Sequence, residues 1–215
     1  MAATATLQQY ITECRQLLHD ATGAFFSDTE LTGYINMARE RLARDTGCLR
    51  QIQKDNTVIG QEVYTFATLP NGANTFDVLN INLYWGNTRV PLNFLPWTNF
   101  NAQLRFWQNY VGRPIAFSMY ASSQSYYIAP VPDQVYVIEL DTTVLPAALV
   151  NYTDTDTIQN SWVSPIAFYA CHQAKYKEQA YGEAEIFKQE YINKARNVLA
   201  TNYTRRMPSA YSNVY

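Results

Sequence analysis

The chain reads as an α+β protein: mostly a helical bundle, built from an N-terminal helix hairpin and long C-terminal helices, with an inserted β-rich region and an extended C-terminal arm. Three observations carry that expectation. Apolar residues recur at helical spacing at both ends of the chain. Between about Val58 and Val144 the rhythm changes to short β-branched and aromatic runs cut by Asn, Gly, Pro and Ser. From Asn202 onward no apolar face remains. The implied division is a helical domain over 1–50 and 160–201, a β-rich insertion over 51–159 and an arm over 202–215.

The first helix is expected from Thr6 to about Ala21, with Leu7, Tyr10, Ile11, Cys14, Leu17 and Leu18 on one face and a capping box formed by Thr6 and Gln9. Ser27 and Glu30 form a second capping box, flanked by Phe26 and Leu31 in the positions of a hydrophobic staple. Leu31, Tyr34, Ile35, Ala38 and Leu42 continue that face until Gly47 supplies a stop, and the two helices should pack as a hairpin. Val63–Phe66, Phe76–Ile81, Ile115–Tyr120, Tyr126–Ala129 and Val135–Leu140 read as strands. Residues 84–89 read as a tight hairpin, because Gly86 accepts the positive φ that a primed turn requires. Trp97–Gln108 is either a short helix or an irregular loop. Ser164-Pro165 offers an N-cap followed by the one helical position that tolerates Pro, opening a long helix to about Ala200. Within it Gly182 marks a bend or a break into a second antiparallel helix.

Composition narrows the function classes. The chain is 47% hydrophobic and 14% aromatic with 17 Tyr, while charged residues make 16%, against an average of about 25%. Tyr is favoured at protein interfaces and Lys and Glu are disfavoured there, so the balance suits a chain that lives among neighbours. A net charge of −2 lacks the positive field that tight phosphate binding needs. No apolar run reaches the about 18 residues of a membrane span, and Met1-Ala2-Ala3-Thr4 does not resemble a signal peptide, so cytoplasmic synthesis is expected. Cys14, Cys48 and Cys171 are odd in number and widely spaced, which points to reduced, buried thiols.

No catalytic constellation emerges. A phosphate-cradling Gly loop, an HExxH helix, a Cys-x-x-Cys pair and a GxSxG elbow are all missing, and His19 and His172 are the only histidines. Cys171 and His172 are adjacent on a helix, so their side chains diverge by about 100° and do not grip one ion. Asp154 and Asp156 precede a helix and read as turn and cap formers, and Glu183 and Glu185 as a solvated face. Neither enzyme activity, metal nor cofactor is expected. What stands out is the tail, with Tyr203, Arg205, Arg206, Met207, Pro208, Tyr211 and Tyr215. It reads as a docking arm, since Tyr and Arg dominate binding hot spots, with a frayed terminus as the bland alternative.

The segment Phe25–Leu42, with its acidic capped start followed by Leu31-x-x-Tyr34-Ile35-Asn36, resembles the opening of the head-to-tail connector or adaptor proteins of tailed phages. The stretches Val111–Phe117, Ile128–Asp133 and Tyr136–Leu140 are similar to the central region of the same group, as is Pro165–Cys171 with the later Tyr191 helix. The likeness spans most of the chain in the right order.

That resemblance implies a non-enzymatic virion protein of the neck, whose copies form a ring, usually dodecameric, beneath the portal. Helices surround a variable β region, the C-terminal arm docks on the portal, and genomic DNA passes the lumen without specific binding. Residues 202–215 are then the arm, and the β region, with Trp85, Asn87, Arg89, Trp97 and Trp107, faces the tail nozzle or other tail proteins. A tail-completion or stopper protein and a carbohydrate-binding tail module, with Trp and Tyr stacking on sugars, are the competing readings.

Overall fold

The computed structural model describes residues 4–102, 104–120 and 124–203. The chain divides into two units, one holding the described residues 4–49 and 146–203, the other Arg50–Leu145. Residues 146–159, which the sequence reading places in the β-rich insertion, belong to the first unit.

In the first unit, α1 (Leu7–Leu18) and α2 (Asp28–Thr46) start where their capping boxes predict. The Thr6 hydroxyl accepts from Gln9 N while Gln9 Oε1 accepts from Thr6 N, and Ser27 and Glu30 repeat the exchange. Phe26 and Leu31, both buried, supply the apolar pair beside the second cap. The turn between the helices is organised by Asp20, whose carboxylate accepts the amides of Ala24, Phe25 and Phe26. Burial alone would raise the Asp20 pKa, but those three amides and the Arg15 guanidinium together hold it below the usual carboxylate value.

The C-terminal half supplies α5 (Ile166–Lys177) and α6 (Tyr181–Tyr203). The predicted interruption exists, but it falls at Gln179, which takes a left-handed φ of 63°, and not at Gly182, which sits in the first turn of α6. The cap position of α5 is Pro165, with no side-chain cap, one residue beyond the expected Ser164. α6 runs three residues past Ala200, so Asn202 and Tyr203 are helical and not the start of an arm. α5 is the central helix and packs on α1, α2 and α6. Its buried Ala167, Ala170, Cys171 and Ala174 are small, which lets three neighbours approach its backbone closely. Leu7, Tyr10, Ile11 and Cys14 of α1 and Leu31, Ile35, Ala38 and Leu42 of α2 complete this core.

The second unit has strands β1 (Arg50–Asn56), β2 (Val63–Thr65), β3 (Thr75–Trp85), β4 (Thr88–Pro91), β5 (Asn93–Phe94), β6 (Val111–Gly112), β7 (Ala116–Tyr120), β8 (Ser125–Ala129), β9 (Val131–Pro132) and β10 (Val137–Val144). Two short helices, α3 (Trp97–Ala102) and α4 (Leu104–Asn109), interrupt them. One antiparallel sheet runs β1-β10-β3-β4, a second runs β2-β8-β7-β5, and β6 pairs with β9. Val78, Ile81, Leu83, Ile138 and Leu140 of the first sheet share one core with Tyr64, Phe117, Tyr126 and Ile128 of the second.

The expectation of a mostly helical bundle is therefore overturned: the structure is 42% helical and 27% strand, with several sheets. The β region has its own hydrophobic core and is not an ornament on a bundle. Part of the miss is β1, whose only buried residue is Gln53, so the apolar alternation that announces a strand is missing. Gln53 is satisfied inside the unit: its amide donates to Thr75 Oγ1 and Thr142 Oγ1 at 2.8 Å each, and its oxygen accepts from Asn71 N.

A buried ion pair locks the helical unit. Arg39 Nε and Nη2 reach Asp156 Oδ2 and Oδ1 at 3.0 and 2.7 Å, with the side chains 1% and 0% exposed. Tyr10 donates to Asp156 Oδ2 and Ile158 N to Oδ1, while Arg39 Nη1 donates to Asn36 Oδ1 and the Ala147 carbonyl. Arg39→Met leaves the carboxylate buried without its counter-charge. It should lower unfolding free energy by about 3–5 kcal/mol in urea titrations, and adding Asp156→Leu should recover part of that loss.

Burial, followed by the neighbouring Asp156 charge and the hydrogen bond to it, pushes the Tyr10 phenol well above its ordinary value. A group whose folded pKa is raised gives stability that is fully present below its unfolded pKa, about 10 for Tyr, and lost as pH rises toward the folded value. Unfolding free energy should fall steeply above about pH 10, and Tyr10→Phe should flatten that slope in alkaline denaturation monitored by phenolate absorbance.

Candidate functional site

The β3–β4 hairpin brings Trp85, Asn87 and Arg89 together. Gly86 takes a φ of 58° and is the only residue of the two-residue turn with a positive φ, the II′ pattern that suits strand twist. Trp85 remains 51% exposed, and the Arg113 guanidinium lies 3.8 Å from its ring centroid, so one face carries a cation. Arg89 is ion-paired with Glu139 of β10, which also accepts the Tyr84 hydroxyl at 2.8 Å. The Lys54 ammonium stands 5.6 Å from the centroid of Tyr84. The Glu139 hydrogen bond is the main cause that raises the Tyr84 pKa. The outer face of this sheet is thus a ladder of ion-paired and aromatic groups, continued by the Arg50–Asp141 pair.

Trp97 does not join them. It opens α3, and its ring lies 4.7 Å from both Tyr120 and Tyr127 and 6.1 Å from the buried Phe100, in the aromatic cluster of the second sheet. The backbone of Trp107 lies in α4. Sequence reasoning missed a different set of exposed apolar side chains nearby: Phe94, Phe106, Tyr110 and Val111 are 56%, 64%, 54% and 58% exposed. The aromatic density of 94–111 was the available signal, but no period told inward rings from outward ones.

Of the arm residues, Tyr203 ends α6, while Arg205, Arg206, Met207, Pro208, Tyr211 and Tyr215 lie outside the described residues. His172 Nδ1 is 2.8 Å from the Ala184 carbonyl and ties α5 to α6, whereas Cys171 turns toward α1, so the pair diverges as the helix geometry requires. Asp154 accepts the amides of Val150 and Asn151 as a turn former. Asp156 has the different task of neutralising Arg39, for which the sequence offered no local signal. Among the described residues no group of three or more His, Cys, Asp or Glu is placed to hold a metal, and no helix is long and apolar enough to cross a membrane.

The two tryptophans should separate on mutation. Trp97→Ala removes ring contacts from a packed cluster and should cost about 3 kcal/mol of stability, whereas Trp85→Ala should cost under about 1 kcal/mol. Paired urea titrations of the two variants check this.

Comparison with curated proteins returns no match. A sequence model of the family described as SU10 adaptor protein matches residues 5–213. That span takes in α1, α2, the whole β unit, α5, α6 and most of the residues beyond. The chain belongs to the SU10 adaptor protein family, a family of phage head–tail adaptors.

Proposed function

We propose that this phage adaptor is a structural protein of the virion neck, forming a homo-oligomeric ring below the portal that connects capsid to tail and lets genomic DNA pass. The observation that carries the reading is the family match, which runs through both structural units and past the end of α6. In this reading residues 204–215, entered directly from α6, supply the portal-binding Tyr and Arg side chains. The β unit presents its hairpin, with Trp85, Asn87 and Arg89, toward tail proteins. Tyr rings and Arg forks are the groups best able to offset the ordering cost of such an arm, about 1–2 kcal/mol per residue for the backbone alone.

The net charge of −2 fits the lumen of a channel through which DNA must slide, because each phosphate neutralised would retard it. Copies repeated around a ring would multiply weak arm contacts through avidity.

The core contributions of α6 come from Tyr191 and Ala195, with Val198 and Leu199 packed beside them, so removal of 204–215 spares every described core residue. The truncated protein should keep its unfolding midpoint and lose co-sedimentation with the portal. Undiminished portal binding by that truncation would move the attachment surface to the helices or the β unit and defeat the arm assignment.

A further inference from the structure

We propose that Cys14 and Cys171 are a latent disulfide site, which clamps α1 to α5 when the protein meets a small disulfide as oxidant. Both residues are fully buried, 0% exposed, on helices that pack directly together. The Cys171 thiol donates to the backbone carbonyl of Cys14 itself at 3.8 Å. In return the Cys14 thiol lies 3.9 Å from the carbonyl of Ala167, one helical turn before Cys171. Each sulfur therefore rests on the other's turn of helix. The neighbouring Cys14 side chain, together with burial, raises the Cys171 thiol far above its ordinary range. A disulfide is demanding in geometry, and here each sulfur is seated against the backbone of the partner helix beside the other cysteine.

The chemistry balances without help from any other group in the protein. A brief opening of the α1–α5 contact ionises one cysteine, whose sulfur attacks the small disulfide and expels one thiolate, which takes up a proton. The second cysteine loses its proton and attacks the mixed disulfide, forming the Cys14–Cys171 bond and releasing the second small thiol. Two protein S–H bonds are lost and two small thiols gain the protons and electrons. Because the folded state keeps both thiols buried, the rate follows local opening. The reduced pair thus persists in a reducing cytoplasm and closes only in an oxidising medium.

The consequence lies in the topology. Cys14 and Cys171 are 157 residues apart, on the two stretches of the helical unit that flank Arg50–Leu145. A cross-link closing so long a loop constrains the unfolded chain strongly. Cys48, half-buried, is the thiol most open to side reactions and is removed for the test.

The Cys48→Ser protein is incubated with hydroxyethyl disulfide below its unfolding temperature, then examined by intact mass, peptide mapping and thermal unfolding. The expected result is loss of two hydrogens, a Cys14–Cys171 peptide cleaved by phosphine, and a Tm several degrees higher that returns to its starting value on reduction. Cys14→Ala in the same background should show neither the peptide nor the Tm rise. A stable mixed disulfide without the internal bond, an unchanged mass after prolonged exposure, or a Tm lowered by the cross-link each overturns the proposal.

Discussion

The helical unit is made of two stretches of chain that meet only after Arg50–Leu145 has been traversed, and the contact that forces them into one register is the Arg39–Asp156 pair. Neither charge can leave water alone, since an unpaired buried ion costs several kcal/mol. Each therefore requires the other, in a geometry that also satisfies the remaining donors and acceptors. Arg39 points the rest of its fork at Asn36 and Ala147, and Asn36 in turn exchanges two hydrogen bonds with the backbone of Leu149. Tyr10 closes the cluster from α1. One ion pair thereby sets α1, α2 and the approach to α5 in a single arrangement, a specificity that apolar packing alone, tolerant of sliding, does not provide.

Around that lock the packing is carried by size. The central α5 brings small side chains to its neighbours, and large ones arrive from outside, Tyr10 from α1 and Tyr191 from α6. Tyr191 keeps its hydroxyl satisfied by Asp45 at 2.8 Å, so an aromatic body is buried at no polar cost. The β unit solves the same problem with two sheets and a stacked Tyr64–Tyr126 pair at 5.4 Å. There Tyr64 donates to the Gln61 carbonyl and accepts from Val58 N, which fastens the loop before β2 to the core.

What was legible in the sequence was local. Both capping boxes, the Phe26–Leu31 staple, the Gly47 stop and the Gly86 turn are written in residues a few positions apart, and each stands where it was read. What depended on partners far along the chain was not legible. Asp154 and Asp156 look alike as turn residues, yet one binds amides three and four positions back and the other an arginine 117 residues away. Gln53 hides a strand because its inward face is polar, and that omission helped tilt the fold class toward helix. Trp85 and Trp97 are equal in composition, but only the three-dimensional sheet decides that Trp97 meets Tyr120 and Tyr127 while Trp85 stays half in solvent.

The same distinction bears on the surface of an adaptor. Most of the described basic side chains are already engaged within the chain: Arg15, Arg39, Arg41, Arg44, Arg50, Arg89, Lys175, Lys177 and Lys188 are ion-paired, and Lys54, Arg113 and Lys194 lie over aromatic rings. Exposed pairs of this kind add little to stability, commonly under about 1 kcal/mol each. Their larger effect is on the field, because a cation with a carboxylate at contact distance is nearly invisible a Debye length away, about 8 Å at physiological salt. A surface so compensated offers phosphate few anchors and leaves Tyr, Phe and Trp as its adhesive groups, whose attraction is short-ranged and insensitive to salt. Under the proposed role this division suits a component that must hold protein neighbours tightly while a highly charged polymer moves past it. Near-neutrality here arises largely from pairing charges within the chain and not from having none, so under the proposed role contacts with protein neighbours need not depend on the ionic conditions of the surroundings.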